Sequence, residues 1–72
     1  MMTVLVFKTS VKRKDEVKKL QPSLNKLVDN NGCWNFDLED CDNILRVETH
    51  SLIAPMISSL LKNQGFHCEE LH

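Results

Sequence analysis

The residues with most chemical capacity in this chain sit in one short run, where Thr9, Ser10, Lys12, Arg13 and Lys14 supply two hydroxyls and three cations. They precede Asp15 and Glu16, an acidic pair of the kind that marks the first turn of a helix. A helix start presents unpaired backbone donors and partial positive charge, so the Thr9 to Asp15 loop is a candidate cradle for a carboxylate or phosphate. The run has no glycine to let the backbone wrap an anion, and Asp15 and Glu16 compete for the same dipole. The plainer reading of these residues is a solvated basic face.

Thiols and imidazoles are the second source of chemistry. Cys33, Cys41 and Cys68 are odd in number and widely spaced, unlike a secreted disulfide framework, and are expected to be free thiols in a reducing compartment. Cys33 with His50 and His72 is the best metal-ligand set the chain offers. No two of these ligands have the tight spacing of zinc motifs, so neither a metal nor another cofactor is expected. Cys41 should be exposed in a turn without a second thiolate nearby, and Cys68 should behave as a small core residue. His67 and Glu69 share a strand face with no nucleophile, pocket or third group, which gives no basis for an enzyme.

These residues must be positioned by a small fold. The 72 residues allow a single domain, 1-72, with one small core. A net charge of -1 gives no global pull toward nucleic acid or an anionic membrane. Locally the charges segregate: Lys8, Lys12, Arg13, Lys14, Lys18, Lys19 and Lys26 crowd the first part, and Asp37, Glu39, Asp40 and Asp42 the middle. No apolar run approaches the roughly 18 residues needed to span a bilayer, and the start lacks a secretory pattern. A cytoplasmic, bacterial protein is the expectation.

Along the chain, Met1 and Met2 are a frayed start, and Thr3 to Thr9 is rich in β-branched and aromatic residues, a strand central in its sheet. From Lys14, Val17, Leu20, Leu24, Leu27 and Val28 fall on one stripe of a helix that keeps its phase across Pro22 and should kink there. Asp29-Asn30-Asn31-Gly32 should end it, with glycine or asparagine in a left-handed turn. Trp34, Phe36 and Leu38 alternate with Asn35, Asp37 and Glu39, the pattern of a strand with one core-facing side. Asp40-Cys41-Asp42-Asn43 supplies a turn, and Ile44 to Thr49 a second strand. A second helix with Pro55 in its first turn carries Ile57, Leu60, Leu61 and Gln64 to a stop at Gly65. Phe66 to Leu71 completes the order β-α-β-β-α-β.

That order is the split βαβ unit, an α+β, ferredoxin-like βαββαβ sandwich with an antiparallel four-stranded sheet in order 4-1-3-2 and two helices on one face. The loop after strand 1, the turn at Cys41 and the loop at Gly65 then share one end, with Cys33, His50 and His72 toward the other.

With these residues in place, the chain resembles the heavy-metal-associated domains of soft-metal chaperones and copper-transporting ATPases. Ile57-x-x-Leu60-Leu61-x-x-Gln64-Gly65-Phe66 is similar to that family's I-x-x-A-I-x-x-A-G-[FY] segment, and Val17-x-x-Leu20-x-x-x-Leu24 to its V-x-x-V-x-x-x-L first helix. The resemblance implies the fold above and a soft-metal site of the form M-x-C-x-x-C. Alignment puts Val11, Arg13 and Glu16 at those three ligand positions. Cu(I) requires soft thiolates, and arginine has no lone pair to give, so metal binding is not carried over to this loop.

The sequence therefore predicts a non-catalytic binding domain with the heavy-metal-associated fold, docking a protein partner through its basic loop and first helix. A homodimer is the second partnership considered, through complementary charge patches or through Val4, Val6 and Ile44 on the open sheet face. Small-anion binding at the loop and metal binding by relocated ligands are the alternatives. RNA binding is not expected, because the chain has no tyrosine and Trp34 and Phe36 share the phase of Leu38, which assigns them to the core.

Overall fold

In the computed structural model, which describes residues 3–28, 32–50 and 54–71, the alternation of apolar residues is realised as four strands and two helices. These are β1 (Thr3–Thr9), α1 (Lys14–Leu27), β2 (Cys33–Asp37), β3 (Ile44–Thr49), α2 (Ala54–Asn63) and β4 (Cys68–Leu71). The sheet order is β2-β3-β1-β4 with every pairing antiparallel, the predicted order read from the opposite edge. The positions of Met1, Met2, Asp29 to Asn31 and His72 lie outside the described residues.

Side-chain alternation divides the sheet into two unlike faces. Leu5 and Phe7 on β1, Leu45 and Val47 on β3 and Cys68 on β4 turn inward, where Leu20 and Leu24 of α1 and Ile57 and Leu61 of α2 cover them. Both helices thus share one core and one face of the sheet. Phe7, Leu20, Leu24, Leu45, Ile57 and Leu61 are fully buried. Withdrawing each of these side chains from water contributes about 1.5–3 kcal/mol. β1 is central, as its composition predicts, and its outward residue Val4 remains 52% exposed.

α1 runs unbroken through Pro22. The ring removes the amide that would bond the Lys18 carbonyl, but Pro22 and Lys18 are both on the exposed side, where water can take that acceptor. The helix ends on Val28, whose amide bonds the Leu24 carbonyl. Gly32 does not supply a left-handed turn: positive φ among the described residues is confined to Asn43 (51°) and Gly65 (90°). Its smallness serves another purpose, since a methyl group there would come within 2.6 Å of the Glu48 carbonyl oxygen and 2.7 Å of Val28 Cγ1. Gly32 permits a close approach of backbones rather than an unusual dihedral.

At the other helix end the expectation holds in detail. Gly65 N–H bonds the Lys62 carbonyl and Phe66 N–H the Leu61 carbonyl, the paired bonds of a Schellman turn. Phe66 then packs on the core before the strand begins, so β4 starts at Cys68 rather than at Phe66.

Candidate functional site

Three connections meet at one end of the molecule, and hydrogen bonds fasten them together. The Thr9 hydroxyl donates to the Asn43 carbonyl at 2.7 Å and accepts from Val11 N–H at 3.2 Å, and Thr9 N–H bonds the Asp42 carbonyl. Ser10 N–H donates to the His67 carbonyl, and Ser10 Oγ accepts the His67 amide at 2.8 Å. Both hydroxyls of the predicted anion loop are thus engaged in tying β1 to the β2–β3 turn and to the segment before β4. Thr9 is buried, at 6% exposure.

The helix start is occupied as well. Glu16 Oε1 accepts the backbone N–H groups of Lys12 at 2.9 Å and Arg13 at 3.1 Å, one half of a capping box. Arginine has no acceptor with which to return the bond. The Arg13 side chain instead pairs with Asp15 at 3.4 Å and stands 4.0 Å from Glu16. The chain's own carboxylate therefore holds the place an incoming anion would take. The Arg13-x-x-Glu16 spacing was the signal for this arrangement, and charge counting alone does not reveal it.

Lys12, Lys14, Lys18, Lys19 and Lys26 remain. All five are exposed, and the ion pairs among the described residues (Lys8 with Asp42 at 3.5 Å, Arg13 with Asp15 and Glu16) include none of them. Lys14 and Lys18 stand one turn apart on α1, a like-charge i,i+4 pair that costs the helix a few tenths of a kcal/mol. They rim a groove of about 440 Å³ between α1 and β2, with Val17, Trp34, Phe36 and Leu38 forming its apolar walls.

Trp34 and Phe36 are half-buried rather than core residues, because β2 is an edge strand and the helices cover it incompletely. Their rings meet edge to face with centroids 5.9 Å apart, and Trp34 Nε1–H donates to Asn25 Oδ1 at 2.8 Å, fastening α1 over the strand. Neither the groove nor the Asn25 bond was legible from the strand pattern. A second groove, about 600 Å³, separates the helices on their outer side, lined by Leu27, Met56 and Leu60 with Lys26 at its rim.

The thiols are dispersed. Cys33 faces away from the helices beside its cross-strand neighbour Glu48 and donates to Glu48 Oε2 at 3.3 Å. That hydrogen bond, with some desolvation and the nearby negative charge, pushes the Cys33 thiol pKa up. A thiol held protonated is a poor nucleophile and a poor metal ligand. His50 is exposed beyond the end of β3 and joins no cluster of three ligands with Cys33 among the described residues; His72 lies outside them. Cys68 is buried in the core as predicted, and burial pushes its thiol up, opposed by a hydrogen bond with Ser58 and by Lys62.

Cys41 is exposed between Asp40 and Asp42, with the three potential ligand atoms within 4.8 Å of one another. These carboxylates already act within the hairpin: Asp40 Oδ1 accepts Asp42 N–H at 2.8 Å, and Asp42 pairs with Lys8. Of the residues ahead of α1 and in its first turn, Val11 is fully buried, Arg13 is ion-paired and Glu16 caps the helix, and none of the three offers a soft metal ligand.

The open sheet face carries mixed rows. Asn35, Arg46, Val6 and Leu71 form one row across all four strands, and Asp37, Ile44, Lys8 and Glu69 the next. Val4 and Leu71 are exposed apolar residues there, joined by Val6, which follows Val4 on the same face of β1 and pairs with Leu71, with Arg46 and Glu48 of β3 along the other side. No described helix is long and apolar enough to cross a membrane. Compared with models of protein families, with curated proteins and with solved structures, the chain matches none.

Proposed function

We propose that this chain is a non-catalytic docking domain, a heavy-metal-associated scaffold whose tip has exchanged soft ligands for charge, and that it meets a protein partner through its basic loop and α1. The observation that carries this reading is the set Lys12, Lys14 and Lys18: exposed, without an acidic partner among the described residues, and placed so that two of them repel along one helix face. Such a surface costs the free molecule a little stability and favours an acidic partner by complementary charge. The family resemblance rests on the Val17 to Leu24 and Ile57 to Phe66 patterns, and the residues at Val11, Arg13 and Glu16 favour a role without metal. Three free cysteines are in keeping with a reducing compartment, the cytoplasm.

The test is capture from a lysate of the protein's own cells, comparing the native chain with a Lys12→Glu, Lys14→Glu, Lys18→Glu variant. The native chain should retain a partner that is released as salt rises past ~0.1 M, where screening shortens charge interactions to about 10 Å. The variant should not retain it. A partner held equally by both chains would overturn the assignment of this surface.

A further inference from the structure

Resting on that docking reading, we infer that the α1–β2 groove takes an extended acidic segment of the partner, added as a strand to the free edge of β2. Among the described residues β2 pairs only with β3, so on its other side alternate backbone N–H and C=O groups have no ladder partner there. An added strand completes that ladder and sends every second side chain toward α1. There it meets the apolar walls of Val17, Trp34 and Phe36 and the two lysines at the rim.

The spacing selects the guest sequence. Lys14 and Lys18 are four residues apart on a helix, a rise of about 6 Å. Side chains two apart on a strand are separated by about 6.8 Å. Carboxylates at alternate positions of the guest therefore match the lysine pair one to one, and an apolar residue two positions further on enters the aromatic-walled part of the groove. The pattern is acidic-x-acidic-x-apolar.

A folded second copy of this chain does not present that pattern on a sheet edge: it occurs at Asp40-x-Asp42-x-Ile44, but there it spans the β2–β3 turn and the start of the inner strand β3. Its own β2 turns Trp34 and Phe36 toward the helix side and Asp37 away from it. On β4, the other edge, Glu70 shares the inward phase with Cys68, leaving one acidic residue on that face where the groove asks for two. The charge and the periodicity together point to a foreign chain.

The probe is a synthetic seven-residue peptide with glutamates at its third and fifth positions and leucines at its first and seventh, threonine filling the rest, titrated into the isotopically labelled chain. Amide shifts should concentrate on Trp34 to Leu38 and on Lys14 to Lys18, with cross-strand contacts between the peptide backbone and β2. A folded Lys14→Glu, Lys18→Glu variant should bind roughly tenfold more weakly or worse, a difference of about 1.4 kcal/mol. An isomer with its glutamates adjacent should also bind more weakly. Shifts confined to the groove between Leu27, Met56 and Leu60, equal binding of the two isomers, or no binding at millimolar peptide would overturn strand addition. If the peptide fails while charge-dependent capture persists, docking stands and this geometry falls; failure of both removes both readings.

Discussion

Thr9 shows how little a residue's type says about its use. A hydroxyl beside three cations suggests a ligand contact, yet the Thr9 side chain holds the Asn43 carbonyl and the Val11 amide, and through them the whole loop end. Thr9→Val keeps the shape and removes both bonds, leaving two buried or half-buried backbone groups unpaired. The expected cost is about 1–3 kcal/mol, read as a lower urea midpoint. Peptide or partner binding at the lysines should be unchanged at temperatures where the variant is folded. A Thr9→Val chain of native stability that loses binding would return the hydroxyl to the site and remove its structural role. Glu16 makes the same point from the other sign of charge, since its carboxylate closes the helix start that counting charges leaves open.

Among the elements, what could be read in the sequence was whatever repeats with a period. The two helical stripes and the alternation in β2 and β3 each involve several residues obeying one spacing, the continuous apolar run of β1 marks a central strand, Gly65 marks a helix stop, and the element order then fixes the sheet by the handedness of crossovers. The misses depend on single neighbours distant in sequence. Gly32 is small because of Glu48, which follows 16 positions later and meets it only through sheet register. Trp34 and Phe36 alternate like core residues, but an edge position leaves them half covered and so creates the groove. Pro22 is the element-scale defect open to direct test. Pro22→Ala restores an amide to the Lys18 carbonyl and removes up to ~3 kcal/mol of helix-interior penalty, offset by a looser unfolded chain worth about 0.4–1 kcal/mol. A net gain of about 1–2 kcal/mol is expected in the free energy of urea unfolding. A loss of stability would mean that the ring is favourably packed where it stands.

At the scale of the whole molecule, two thiols couple folding to alkaline pH. Glu48 raises the pKa of Cys33 by accepting its hydrogen bond, and burial raises that of Cys68, so the folded chain holds both protons more tightly than the unfolded chain does. A raised folded-state pKa gives stability that is fully present below the ordinary thiol value of 9.0 and is lost as pH climbs through that value toward the folded ones. The urea midpoint under reducing conditions should therefore stay level through neutral pH and fall from about pH 8.5 upward. The chain has no tyrosine to add a second titration in this window. A Cys33→Ser, Cys68→Ala variant should start from a lower midpoint, because Cys68 fills core volume, yet show a flatter profile over the same interval. Glu48→Ala separates the two contributions: it should speed alkylation of Cys33 at pH 8 by a few-fold while leaving the buried Cys68 unreactive in the folded chain. If the double variant loses stability with pH as steeply as the native chain, the alkaline sensitivity does not come from Cys33 and Cys68.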